Sequence, residues 1–220
     1  AGITNAIMAS GIVKSWGSGS TGQLGDGGVT NTSNVPIDAT VLSNIAAIYP
    51  EAERSCARTT GGSAICWGYG YLGDSVFHNV GDEAMTPVNV TGLTSGVAAL
   101  ASGDQHTCAL TSGGGVKCWG DGTYGALGDG TNVQHYDPVD VVGLTSGVIA
   151  ISSGFRFSCA LTSGGGVKCW GNNFYGQLGD GTTGFGSNVP VDVVGLGSGV
   201  TGITVGGSTA CALTSGGGVK

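Results

Sequence analysis

The residues best equipped for covalent chemistry are the seven cysteines, and their spacing is regular. Cys56 and Cys66, Cys108 and Cys118, and Cys159 and Cys169 are each ten residues apart; Cys211 is left over, and its expected partner position follows Lys220. The residues between Cys108 and Cys118 read Ala-Leu-Thr-Ser-Gly-Gly-Gly-Val-Lys. Two short apolar strands around a glycine turn make a β-hairpin, because glycine supplies the positive φ of a tight turn. A turn centred on Gly113 sets Leu110 opposite Val116 and Cys108 opposite Cys118. Opposed residues of a non-hydrogen-bonded pair lie about 4.5 Å apart at Cα, at the short end of the disulfide range of about 4.4–6.8 Å. In the first copy Asn5 and Ser15 replace both cysteines together. Cysteines that come and go in pairs point to disulfides within each hairpin; small buried thiols are the alternative.

Other polar residues carry less chemistry. The Leu-Gly-Asp loops place Asp26, Asp129 and Asp180, with Asp74 in a variant, at matching positions. A calcium ion needs six to eight oxygens, and each loop brings one or two carboxylates. The Asp is better read as bonding its own turn, so no metal and no cofactor is expected. No Lys-Ser/Thr follows these glycines, so they do not cradle phosphate. His106 lies within a strand, and His78 and His135 lie in variable loops without a serine or cysteine at fixed spacing. Catalysis needs a nucleophile and a base in one pocket, and no such set stands out; the chain reads as a non-enzyme.

The elements that position these residues recur. Trp16, Trp67, Trp119 and Trp170 step by 51, 52 and 51 residues, and Pro36, Pro87, Pro138 and Pro190 by 51, 51 and 52. In one period, Val97–Gly103, Gln105–Thr111 and Gly115–Gly120 read as strands. A long loop, Asp121–Gly130, follows, and then a fourth strand at Pro138–Val142, with the proline at its start where it costs no ladder bond. Helical spacing is absent. Four short strands every ~50 residues match a β-propeller blade. The expected fold is all-β, with pieces at 1–45, 46–91, 92–142, 143–194 and 195–220: three complete blades and two partial ones. Residues 1–45 lack a clear first strand, and 200–220 supply three strands without a fourth. The expected setting is a larger ring with further blades, with a four-bladed ring over 15–220 as its rival.

Composition narrows the function classes. With 46 glycines in 220 residues, 10% charged and 40% hydrophobic, the chain is a folded one. The net charge is −7, and seven scattered Lys and Arg form no basic patch, which argues against nucleic acid. No run of 18 apolar residues is present to span a membrane. Asn31-Thr-Ser33 and Asn89-Val-Thr91 match the N-glycosylation pattern, a weak signal among so many hydroxyl residues. Paired cysteines favour an oxidising, extracellular or cell-surface setting.

Ser102-Gly-Asp-Gln-His-Thr-Cys-Ala-Leu110, Val116-Lys-Cys-Trp-Gly120 and Gly125-Ala-Leu-Gly-Asp-Gly130 resemble the regulator of chromosome condensation repeat. The last segment recurs at 22–27 and 176–181, and the likeness covers essentially the whole chain. The resemblance implies a propeller that closes seven blades and binds proteins through loops on its faces. Members include a nucleotide exchange factor that also binds chromatin, ligase-associated domains and scaffolds. The paired cysteines, the low basic content and the lack of a long insertion depart from the nuclear exchange factor.

Tyr69, Tyr71, Phe77, Tyr124, Tyr136, Phe174, Tyr175 and Phe185 are all expected in the loops after Trp-Gly, whereas the core strands hold few aromatics. They read either as anchors of a binding face or as plugs between blades. The expected function is a non-catalytic extracellular binding or scaffold module holding a protein partner. The alternative is a self-assembling sheath, shell or filament subunit bound to copies of itself. A regulator resembling an exchange factor and a secreted enzyme are outsiders.

Overall fold

A computed structural model describes residues 2–28, 30–39, 42–51 and 53–220. The chain divides into two compact units, Ala1–Leu100 and Ala101–Lys220. The first unit opens with a three-stranded sheet, β1 (Ile3–Ile7), β2 (Val13–Ser18) and β3 (Thr32–Asp38), in that order. Next come β4 (Ile45–Pro50), β5 (Arg54–Thr59), β6 (Ala64–Gly68), the short pair β7 (Gly70–Tyr71) and β8 (Phe77–His78), and β9 (Ala84–Asn89). Strands β4, β5, β6 and β9 form one four-stranded antiparallel sheet, and β7 and β8 a separate ribbon. Val13, Ala39, Leu42, Ile45, Ala57 and Trp67 make one buried apolar cluster of this unit.

The strand β10 (Val97–Ser102) runs across the division and is the first strand of the sheet completed by β11 (His106–Thr111), β12 (Val116–Gly120) and β13 (His135–Asp140). A fourth sheet follows as β14 (Val148–Ser153), β15 (Phe157–Thr162), β16 (Val167–Asn173) and β17 (Gly184–Asp192). The chain closes on the pair β18 (Val200–Gly206) and β19 (Thr209–Thr214). Phe157, Leu161, Val167, Leu178, Val200 and Ala212 pack together between the last two sheets.

The hairpin that repeats in each sheet is specified locally. In β11–β12 the Thr111 amide donates to the Gly115 carbonyl at 2.8 Å, and Gly114 sits at φ +79. The Thr111 hydroxyl donates to the same carbonyl and accepts from the Gly115 amide at 3.0 Å. Thr162 and Thr214 repeat both bonds. This tie is legible in the recurrence of Thr59, Thr111, Thr162 and Thr214, a signal the reading of glycines alone passes over. The glycine after each tryptophan has a different reason: a Cβ at Gly120 would lie 2.4 Å from the Gln105 carbonyl oxygen.

Two expectations about strands need correcting. Pro138 is not at the start of its strand, since β13 begins at His135. The pairing passes from Cys118↔Val139 to Gly120↔His135 with a register shift, and Pro138 falls in that irregular stretch of an outer strand. An edge position and a bulge both tolerate a residue without an amide hydrogen. Pro36, Pro87 and Pro190 likewise lie inside β3, β9 and β17. At the chain end, residues 200–220 form two strands, and the expected third is a single bridge, Leu213↔Val219.

Candidate functional site

The cysteine register places Cys56 opposite Cys66, Cys108 opposite Cys118 and Cys159 opposite Cys169, each pair with Cα atoms 4.1 Å apart and the sulfurs joined. All six are at most 1% exposed. Cys211 is exposed and free. In the first sheet the same register pairs Asn5 with Ser15, and the Ser15 hydroxyl donates to Asn5 Oδ1 at 2.6 Å. A hydrogen bond thus occupies the place of the bridge.

Within each unit one tryptophan binds its sheet to the loop of the sheet before it. The Trp67 indole N–H donates to the Gln23 carbonyl at 2.9 Å, and that of Trp170 to the Ala126 carbonyl at 3.1 Å. Both rings are fully buried. Leu24 and Leu127, beside those carbonyls, are also fully buried, so the Gly-x-Leu-Gly segments are sockets for a neighbouring indole. His106 is 1% exposed, and its Nε2 is 2.8 Å from the Ser158 hydroxyl, which also meets Ser153 at 2.8 Å. This is a sealed inter-sheet contact with no access for a substrate.

The Leu-Gly-Asp carboxylates are spent on their own loops. Asp129 accepts from the Thr131 amide and hydroxyl and faces His135 at 3.1 Å. Asp74 faces His78 at 3.0 Å. Among the described residues no three His, Cys, Asp or Glu side chains are grouped to hold a metal ion. Asp180 is held below the ordinary carboxylate range, chiefly because the Thr182 hydroxyl donates to it; slight burial opposes this, and the Thr182 amide and the Asn173 side chain add to it. A lowered folded-state pKa stabilises the loop at pH above the ordinary Asp value, and that contribution is lost as pH falls through the lowered one. Thr182→Val is therefore expected to move the Asp180 carboxyl titration, followed by NMR, upward toward the ordinary value. An unmoved titration would remove Thr182 as the cause.

The aromatic residues separate into two sets. Tyr69, Tyr71 and Phe77 are half-buried against one another, with Phe77 5.7 Å from Tyr69 and 4.7 Å from Tyr71 in edge-on geometry. Tyr71 and Phe77 lie on the β7–β8 ribbon, which corrects their assignment to an open loop. Tyr136 is on β13 and Phe185 on β17, again strands where loops were expected.

In the second unit Tyr124, Phe174 and Phe185 come together. Phe174 lies 5.2 Å from Tyr124 and 5.7 Å from Phe185. Phe185 and Tyr175 are each 81% exposed and Phe174 44%. Short-range polar bonds present these rings. Asn172 Oδ1 accepts the Phe174 amide and Gln177 Oε1 the Tyr175 amide, both at 2.9 Å. Asp121 Oδ1 accepts the amide and hydroxyl of Thr123, just before Tyr124.

Arg156 completes the patch and is the residue sequence reasoning missed. Its guanidinium carbon is 5.6 Å from the ring centres of both Tyr124 and Phe155, and its Nη2 is 3.6 Å from Asp121. Arg156 and Tyr124 both adopt positive φ, 60° and 62°, a conformation that costs a non-glycine residue about 1–2 kcal/mol. Beside them a cleft of about 430 Å³ is lined by Tyr124, Asn132, Phe185, Ser187 and Asn188. The only sequence signal for Arg156 was its place between Phe155 and Phe157.

Four-stranded antiparallel sheets repeating every ~51 residues, with the indoles of Trp67 and Trp170 buried against the preceding loops, define a β-propeller repeat protein. The chain belongs to the regulator of chromosome condensation (RCC1) repeat family, whose models match residues 97–126 and 148–177, and 114–161 and 165–213. It is 34% identical over 221 residues to mouse E3 ubiquitin-protein ligase HERC2, covering 96% of this chain and 4% of that protein. It is 36% identical over 183 residues to the ultraviolet-B receptor UVR8 of Arabidopsis thaliana, covering 80% of this chain and 40% of that one. Yeast RCC1 (Prp20), solved bound to Kap60, superposes with a TM-score of 0.79 at 19% identity, covering 99% of this chain and 53% of that one. The chain thus spans well under two thirds of each of these proteins.

Proposed function

We propose that this chain is a non-catalytic protein-binding module, part of a larger propeller, whose partner docks on the Tyr124–Phe174–Phe185 patch with Arg156. The observation that carries the reading is the exposure of large rings on a built support. Asp121, Asn172 and Gln177 hold their backbone, and Arg156 stacks beneath Tyr124 and Phe155. Tyrosine, phenylalanine and arginine are typical anchors of protein interfaces, and a rigid patch loses little entropy on binding. Yeast RCC1 bound to Kap60 is a protein partner complex on the same fold. The three cysteine pairs support native disulfides and an extracellular or cell-surface setting.

Selection of random displayed peptides on the 220-residue protein tests this. Peptides that bind the parent chain and lose about tenfold or more in affinity on Phe174→Ala/Phe185→Ala are expected, since two anchor rings are each worth about 1 kcal/mol or more. A selection that yields no peptide sensitive to this pair would overturn the reading.

A further inference from the structure

Within the second unit, the loops that carry the patch are acidic throughout. The segments between Trp119 and Pro138 and between Trp170 and Pro190 hold Asp121, Asp129, Asp137 and Asp180 and contain no Lys or Arg. The unit as a whole has four Lys and Arg against seven Asp, a net of −3. Two of its cations are engaged on outer strands: Lys117 with Asp140 at 2.8 Å and Lys168 with Asp192 at 2.7 Å. Of the loop carboxylates, Asp180 is kept anionic by its hydroxyl and amide donors. Asp129 accepts from Thr131 and faces His135.

The patch already holds one cation in the way it would hold another. Arg156 lies over Tyr124 and Phe155 at 5.6 Å with Asp121 at its edge. A ring face is electron-rich and attracts a guanidinium or ammonium, more so where a carboxylate stands nearby. Phe174 and Phe185 are rings of the same kind on segments that carry the same carboxylates, and both are exposed. The adjoining cleft, with neutral Asn132, Ser187 and Asn188 beside Tyr124 and Phe185, carries no positive group to repel a cation. Arg156 is already engaged by Asp121 and two rings, so an acidic partner would meet a net negative surface, whereas a basic one gains both steering and contact.

From this charge complementarity we infer that the occupant of the Tyr124–Phe174–Phe185 patch is an extended, Lys/Arg-bearing segment of a protein partner. Its cationic side chains stack on the Phe174 and Phe185 rings, beside the segments that carry Asp129 and Asp180. This inference rests on the protein-binding reading and adds the chemistry of the partner.

The same peptide selection, followed by direct titration with labelled deca-arginine and deca-glutamate, tests it separately. The ring-dependent peptides are expected to be rich in Arg and Lys. Asp129→Asn/Asp180→Asn, which keeps an acceptor oxygen for each turn, should weaken them and deca-arginine by about fivefold. Asp140→Asn/Asp192→Asn, which removes the same charge from the outer strands, should leave binding unchanged. Raising salt from about 50 to about 300 mM should weaken binding several-fold. Deca-arginine held equally by the parent and by Phe174→Ala/Phe185→Ala shows diffuse attraction to an acidic protein and overturns the inference. So do ring-dependent peptides that are neutral or acidic, or equal losses from the two charge pairs. In those last two cases the protein-binding reading stands and only the basic partner falls.

Discussion

Trp170→Ala is expected to destabilise the second unit by about 4 kcal/mol, the range for deleting a buried aromatic ring from a packed core. The side chain is fully buried, and its indole N–H satisfies the Ala126 carbonyl at 3.1 Å. Truncation leaves a ring-sized cavity and an unpaired carbonyl together. Trp170→Phe separates the two terms: it keeps most of the volume, and the lost bond alone should cost about 1–3 kcal/mol. Trp16 is the internal comparison, because it is only partly buried. Trp16→Ala should cost less than half as much. Denaturant unfolding followed by circular dichroism reads all three, with hydrogen exchange assigning the loss to particular sheets. Equal costs at Trp16 and Trp170 would show that the indole sockets contribute nothing specific.

Removing the cysteine bridges is the second large effect expected. Each hairpin bridge closes a loop of eleven residues, for which the chain-entropy relation gives roughly 2.5–3 kcal/mol at 25 °C. Cys108→Ala/Cys118→Ala should therefore lower stability by about 3 kcal/mol, and reduction of all three bridges by more than twice that. The loss should stay concentrated in the β10–β13 sheet, since contacts in repeat proteins are mostly between neighbours. Peptide mapping without reductant should link Cys56 to Cys66, Cys108 to Cys118 and Cys159 to Cys169, while Cys211 alone alkylates. Links between different hairpins, or seven alkylated thiols, would refute the pairing, and with it the main support for an extracellular setting.

The repeat made the architecture legible before any coordinates. A period of ~51 residues, marked by tryptophan, proline and cysteine, already carried the sheet count, the hairpins and the opposition of Cys108 to Cys118. These are local features: a two-residue side-chain period and a glycine turn determine register over ten residues without help from the rest of the chain. The Asp loops were legible for the same reason, because a carboxylate bonding an amide two residues on is a short-range event. The strand ends were less so, since the place where β13 begins depends on how far β12 can pair past a bulge.

What the sequence by itself determined is therefore the repeated unit: its strands, its turns, its paired cysteines and its family. Only the tertiary structure decided which aromatics are spent and which are offered. Tyr71 and Phe77 look like Tyr124 and Phe185 in the sequence, yet the first two close on each other in a ribbon and Phe185 stands in solvent. Arg156, on the turn between β14 and β15, reaches Tyr124 from a different repeat, thirty-two residues away. Packing of one sheet on the next makes that approach, and no spacing within a single repeat encodes it. The hydrophobic and hydrogen-bonding terms that form a blade are short in range. The patch exists only where two blades meet.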